Sequence, residues 1–280
     1  MQFSQRTILI TGGAGSIGTA LAEKLLEFKP HSIRIFDNSE YNLAKARERL
    51  STHPESYRLR FLLGDVRDFN RLRMAMQGVH LVYHLAAFKH VDIASYNPTE
   101  VIATNINGTI NVIQCSLETK PLHVFFSSSD KAVNAVSIYG YSKAIGEKLM
   151  LWADRISDST RFTVLRFGNV KESSGNVWEI WQRQLEKGES LTVTHPEATR
   201  YFMSMEEALD FIIAASTYAS GGEIMVPEMK EYKIMELAKQ LSNNIRITGL
   251  RPEEKLHEEL FTEEEKARAK KLGEKIWIIK

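Results

Sequence analysis

The chain has 280 residues, 43% hydrophobic and 25% charged, with 36 Lys and Arg against 35 Asp and Glu and a net charge of +1. That length suits one large α/β unit with a smaller lobe and needs no covalent staples, and the balanced charge gives no reason to expect a nucleic-acid partner. The single cysteine, Cys115, rules out an intrachain disulfide and suits a reducing compartment. The opening residues, Met1 to Arg6, lack a signal-peptide core, and no apolar stretch approaches the ~18 residues of a membrane span. A cytoplasmic protein with no membrane partner is expected.

Thr7–Thr11 is a short apolar run, rich in β-branched residues and stopped by glycines, which predicts a buried parallel strand. Similar runs recur at 32–36, 58–63, 80–85, 123–127 and 162–167, alternating with helical patterns at 17–28, 41–50, 69–76 and 100–117. Strand alternating with helix predicts a Rossmann-type α/β fold with a doubly wound parallel sheet. After Gly168 the rhythm breaks. A helix over 177–186 precedes a short strand at 190–194, and a helix over 205–218 is expected to return to the main sheet. Gly221-Gly222 marks a turn, followed by a short strand and helices. Residues 262–271 read as a solvated charged helix, and Trp277-Ile278-Ile279 as an apolar tail that needs a docking site. The expected division is a dinucleotide-binding domain over 1–170, joined by 201–220, and a smaller C-terminal substrate-binding lobe of 171–200 and 221–280.

The glycines of Gly12-Gly13-Ala14-Gly15-Ser16-Ile17-Gly18 fit G-x-x-G-x-x-G between the first strand and the first helix. Gly12 allows the tight turn, Gly15 lets the backbone approach a pyrophosphate, and Gly18 lets helix and strand pack closely. The phosphates would meet N–H groups around Ser16 and Ile17 and the positive end of the helix dipole. Asp37 ends the second strand about 20 residues further on, where a carboxylate accepts hydrogen bonds from the adenosine ribose. A carboxylate there repels a ribose phosphate, so NAD is favoured over NADP, which stays open. The competing reading of Asp37 is a helix N-cap. Asp65-Val66 would flank the adenine, and Ala86 and Ala87 supply small residues where the cofactor crosses the sheet edge.

Tyr139 and Lys143 lie four residues apart and share one face of a helix. A free tyrosine titrates near about 10, and a neighbouring ammonium would lower that value enough for a base. Lys143 could also hold the nicotinamide ribose. Ser129-Asp130-Lys131 follows the fifth strand, at the carboxyl edge where ligands sit in such sheets. Ser129 could hydrogen-bond a substrate hydroxyl. Asp130-Lys131 is either a second acid/base pair or a solvated ion pair worth little. His84, His90 and His195 are not at metal-ligand spacing, so no metal site is expected. Cys115 reads as an inert core residue, and Trp178 and Trp181 as packing for the lobe.

Together these residues place the chain close to a known family. It resembles the extended short-chain dehydrogenase/reductase superfamily, and within it the polysaccharide-biosynthesis UDP-N-acetylglucosamine 4,6-dehydratases. The likeness rests on Ala86 through Val91 with Asn97-Pro98 and Thr104-Asn105, on Ser129-Asp130-Lys131-Ala132 with Tyr139 and Lys143, on Arg166 through Val170 with 194–203, and on 249–252 with Glu254-Lys255-Leu256 and Glu258-Glu259-Leu260. It implies that Tyr139 is the base for oxidation at C4, that Lys131 removes the C5 proton, and that Asp130 protonates the departing C6 hydroxyl. Hydride returns to C6 and leaves a 4-keto-6-deoxy sugar. It also implies a lysine and a carboxyl both shifted towards neutrality. By the same likeness Asn105 joins the cofactor site. Lys89, His90 and Asn169 border the sugar, Arg200 and Arg251 pair with the diphosphate, and the protein is a homo-oligomer. Ser129 replaces a usual threonine, and Ser174 replaces an arginine common in the nucleotide loop. A nucleotide-sugar epimerase, which needs no elimination pair, is the alternative, and a NAD-binding regulator without catalysis is the third.

Overall fold

The computed structural model describes residues 3–173 and 175–280; Ser174, the departure in the nucleotide loop, lies outside them. Along the chain come β1 (Thr7–Thr11), α1 (Ser16–Leu26), β2 (Ser32–Asp37), α2 (Glu40–Leu50), β3 (Leu59–Leu63), α3 (Phe69–Met76) and β4 (Leu81–His84). Then follow α4 (Val91–Tyr96), α5 (Pro98–Val101), α6 (Gly108–Thr119), β5 (His123–Ser129), α7 (Ile138–Ile156) and β6 (Arg161–Phe167). These make the doubly wound core. The order of these six strands in the sheet is β6-β5-β4-β1-β2-β3, the arrangement of a dinucleotide-binding sheet.

Strand residues alternate between two cores because successive side chains point to opposite faces. Ile8, Ile10, Ile33 and Ile35 meet Leu21 and Leu25 of α1 on one side. Leu9, Val82 and Val124 meet Leu72 of α3, Val112 of α6 and Met150 of α7 on the other. Both faces are covered, so the strands read as nearly continuous apolar runs. Burial of each such Leu or Ile contributes roughly 1.5–3 kcal/mol. Register places the strand ends together: Thr11 pairs with Phe36 and with His84, and Ser129 pairs with Phe167. The loops that leave this carboxyl edge build the site.

The remaining elements are β7 (Asn169–Val170), α8 (Val177–Glu186), β8 (Leu191–Val193), β9 (Thr199–Met203), α9 (Met205–Tyr218), β10 (Glu223–Pro227), β11 (Lys230–Lys233), α10 (Ile234–Leu241), β12 (Ile245–Ile247), α11 (Glu263–Arg268), β13 (Lys270–Leu272) and β14 (Ile276–Ile279). Strands β7, β9 and β11 form a small sheet and β8 pairs with β12. Their apolar centre is the fully buried Trp181, packed edge-on against Trp178. Helix α9 returns to the main sheet, where Phe211, Ile212 and Ala215 join the core beside α1.

Two expectations are corrected here. Residues 223–227 and 270–279 do not belong to the lobe. β10 lies parallel beside β6, and β14 runs antiparallel to β10, with β13 beyond it. The physical reason is the apolar run Ile224–Val226, which needs a covered position, and the Trp277–Ile279 tail, which finds its dock as the next strand. The helix expected over 262–271 is only α11, opened by a Thr262 capping box, before the chain turns into β13. Among the described residues, no helix is long and apolar enough to cross a membrane.

Candidate active site

The β1–α1 turn is a cradle that side chains could not occupy. Gly12 has φ 64°, and a Cβ on it would come 2.7 Å from the Ala86 backbone. A Cβ on Gly18 would come 2.6 Å from the Gly12 carbonyl. Gly15 caps α1 without any side-chain acceptor, which turns the positive end of the helix towards the cleft. Asp37 steadies this loop: its Oδ2 accepts from the Ala14 N–H at 3.1 Å and its Oδ1 from the Ser39 N–H at 3.0 Å. It is not a helix cap. Ser39 is, accepting from the Asn42 N–H. Asp65 accepts from the Arg67 backbone and guanidinium and from Asn38. Burial alone would raise its carboxyl, but Arg67 and Asn38 outweigh that and hold it below the usual range.

From this cradle a cleft of ≈ 730 Å³ runs past Asp37, Asp65, Val66, Ala86 and Ala87 to Ser129, Lys131, Tyr139 and Lys143, bordered by Lys89, His90, Asn169 and Arg251. The donor set and the close backbone approach fit a dinucleotide lying across the carboxyl edge. Asn105 is the exception among the expected cofactor residues. It sits on a π-type turn, Ile102–Asn107, that interrupts the helix predicted over 100–117. Its Oδ1 accepts from the Phe88 N–H, and its Nδ2 donates to the Phe88 carbonyl and to Ser142 Oγ. Asn105 is 2% exposed and does not reach the cleft. It positions the loop that lines it. His84, buried between the Thr11 and Thr109 hydroxyls, is a core histidine. Burial, reinforced by Lys143, pushes it down to about 3.

Tyr139 and Lys143 stand on one face of α7, whose Ser137 cap accepts from the Gly140 N–H. Lys143 donates to the Ser127 carbonyl at 2.8 Å, and burial lowers it to about 8. Tyr139 is shifted opposite to expectation: burial raises the phenol, and the Lys131 charge and a hydrogen bond with Ser129 only partly counter it. The ammonium of Lys143 points instead at the backbone of β5.

Asp130 and Lys131 form the first turn after β5, and Asp130 is completely buried, which excludes a solvated pair. Asp130 Oδ1 accepts from Ser129 Oγ at 2.7 Å and from Lys131 Nζ at 3.1 Å. Its Oδ2 has no hydrogen-bond partner among the described residues. Lys131 also lies 3.6 Å from Glu258 Oε1. The expected downward shift of Lys131 is therefore corrected. Burial lowers it, but Asp130 and Glu258 outweigh burial and leave the ammonium raised.

Lys131, Asn169 and Arg251 also line a second cavity of ≈ 880 Å³, continuous with the first and walled by Arg200, Glu254, Lys255 and Glu258. Arg251 is exposed. Arg200 is half-buried, donating to the Thr199 and Leu256 carbonyls and to Glu254 at 2.7 Å. Lys89 is lowered by burial against a weaker pull from Glu179. His90 packs against Gly175, where a Cβ would come 2.4 Å from its ring. Spacing and periodicity give Lys255 and Glu258 no role. Lys255 donates to the Val133 carbonyl, 122 positions away. The only sequence signal for either was the shared run through Glu258-Glu259-Leu260.

A helix end cradled by glycine, facing a Tyr–Lys pair across one cleft, is how extended short-chain dehydrogenases/reductases are built, and the chain is one of them. Within that class it belongs to the polysaccharide biosynthesis protein family, which matches residues 8–280. The UDP-N-acetylglucosamine 4,6-dehydratase (inverting) of Campylobacter jejuni is 39% identical over 269 residues, 94% of this chain and 79% of that protein. The UDP-glucose 4-epimerase of Rickettsia bellii is 38% identical over 283 residues, 97% of this chain and 82% of that protein. Among solved structures, Pen from Bacillus thuringiensis matches with a TM-score of 0.94 at 35% identity, covering 100% of this chain and 90% of that one. Solved neighbours at 22% identity share the fold, and some of them hold NAD.

Proposed function

We propose that the protein is a nucleotide-sugar 4,6-dehydratase that binds NAD and acts on a UDP-N-acetylhexosamine, with UDP-N-acetylglucosamine the favoured substrate. The observation that carries this reading is the Asp130–Lys131 pair at 3.1 Å, in which Lys131 lines the cleft beside Tyr139 and Asp130 lies fully buried behind it. The turn Gly12–Gly18, Asp37 and Lys143 would hold NAD in the cleft, where it would supply a hydride acceptor at C4 and a hydride donor at C6. Tyr139, as its phenolate, takes the C4 hydroxyl proton, and the Lys131 charge and the Ser129 hydroxyl favour that form against burial. A ketone at C4 acidifies the C5 proton. Lys131 then needs to be a neutral amine and Asp130 a protonated acid, and one proton moved across their hydrogen bond turns the ion pair into that form. Lys131 takes the C5 proton and Asp130 gives its proton to the C6 oxygen, which leaves as water. A proton returns to C5 as hydride reaches C6, and the product is a 4-keto-6-deoxy sugar with no net oxidation.

Incubation with UDP-N-acetylglucosamine should give a product lighter by one water, read by mass spectrometry, with no accumulation of NADH. The Lys131→Ala enzyme should still oxidise C4 in a single turnover but lose exchange of the C5 proton with solvent. Exchange at the normal rate would remove Lys131 from its role. The epimerase-named relatives, at 35–38% identity, favour a second reading in which only Tyr139 and the cofactor act. A product of unchanged mass with an inverted C4 centre would decide for it.

A further inference from the structure

The segment 254–260 crosses the catalytic turn as a strap, and side chains on both sides of Glu258 tie it down. Lys255 donates to the Val133 carbonyl. His257 Nδ1 meets Thr199 Oγ1 at 2.9 Å. Glu259 Oε2 accepts from Asn134 Nδ2 at 2.7 Å, and the Leu260 carbonyl accepts from Arg166 at 2.9 Å. Glu258 is held by none of these bonds. It is 5% exposed, lines the substrate-side cavity, and reaches Lys131 Nζ with Oε1 at 3.6 Å. Its Oε2 takes no hydrogen bond among the described residues and lies 3.8 Å from Lys255 Nζ. A carboxylate serving only to fasten the strap would be hydrogen-bonded to what it fastens. Glu258 faces the reacting lysine instead.

We propose that Glu258 is the positioning residue that governs whether Lys131 carries its proton, and with it the pH range in which the elimination pair works. For its catalytic consequence this rests on the 4,6-dehydratase reading; the electrostatic statement does not. Lys131 is faced by Asp130 and Ser129 from its own turn, Tyr139 from α7, Arg200 from β9, and Glu258 and Lys255 from the strap. Asp130 changes its own charge in the elimination, neutral before its proton leaves with the C6 oxygen and a carboxylate beside Lys131 afterwards. Glu258 takes no part in the proton transfers, and from 3.6 Å it adds to the pull of Asp130 on the ammonium once the C5 proton has arrived. Its other oxygen is balanced by Lys255, which keeps the group of two lysines and two carboxylates close to neutral.

The test titrates Lys131 directly, by NMR of protein labelled with 13C at lysine Cε, with the Lys131 signal assigned by its loss in Lys131→Arg. In Glu258→Gln the Lys131 midpoint should fall by about one unit or more, the size expected for losing a close opposite charge. Glu258→Asp should restore part of the fall. Glu259→Gln, which loosens the strap without touching Lys131, should leave the midpoint where it was. The pH profile of C5 proton exchange should move to lower pH by the same amount, with KM for the nucleotide sugar unchanged. An unmoved midpoint in Glu258→Gln, or an equal fall in Glu259→Gln, overturns the proposal. Should the wild-type enzyme release no dehydrated sugar, the functional reading fails, while the NMR titration still decides the role of Glu258.

Discussion

Lys143 illustrates how much a single side chain can owe to burial. Its ammonium is 3% exposed and rests on the Ser127 carbonyl, and burial brings it to about 8 from an ordinary 10.5. In the unfolded chain it keeps its proton up to the higher value. Between the two values the unfolded state binds more protons, so stability rises with pH through that window. Below pH 8 the folded state bears the full cost of a buried charge, about 3 kcal/mol. Urea titrations between pH 7 and 10.5 should show this rise in the native protein and its loss in Lys143→Met. Asp37 offers a different check. It holds the glycine loop through the Ala14 N–H and faces the cleft. Asp37→Arg should weaken NADH tenfold or more in a fluorescence titration while improving NADPH relative to it, since a cation replaces the charge that repels a ribose phosphate. Asp37 was legible in sequence because its position after the second strand is set locally. The direction of the Tyr139 and Lys131 shifts was not, because it depends on carboxylates and burial contributed from elsewhere in the chain.

Among elements, the joint between β6, α7 and α11 carries the greatest electrostatic stake. Arg166, 2% exposed, forms paired hydrogen bonds with Glu147 of α7 and Glu265 of α11, and its pKa is raised because those bonds outweigh burial. Ser128, one residue before Ser129, donates to the same Glu147 at 2.6 Å. The network thus braces the end of β5 and the strap that follows β12. Removing the cation would strand two buried carboxylates. Arg166→Leu should cost about 3–5 kcal/mol in denaturant unfolding and loosen the strap; a loss below 1 kcal/mol would show that the network is dispensable. The helix expected over 100–117 shows the limit of periodicity. Its apolar spacing is helical throughout, yet the π-type turn is fixed by Asn105 bonding to Phe88 and Ser142, partners that no local pattern displays.

For the molecule as a unit, the last strand closes the sheet. β14 covers β10 and carries β13, and Trp277 packs edge-on to Phe261 next to the strap. Deleting 274–280 would bare the Ile224–Val226 edge, and exposed apolar edges pair with other chains. The truncated protein should aggregate on heating and lose the C-terminal anchor of the strap, seen as a lower unfolding temperature and rising light scattering. If it melts and stays monodisperse like the full chain, β14 is not a closing strand.

The doubly wound core, the glycine cradle, Asp37 and the Tyr139–Lys143 face were readable from the chain because each depends on short spacing: period two in strands, four residues on a helix, one turn between strand and helix. The placement of 223–227 and 270–279 in the main sheet could not be read, nor could the burial of Asp130, the bridge made by Asn105 or the approach of Glu258 to Lys131. Each of those is a contact between segments far apart in sequence. Apolar periodicity says that such segments must be covered, but which surface covers them is settled only when the whole chain has packed.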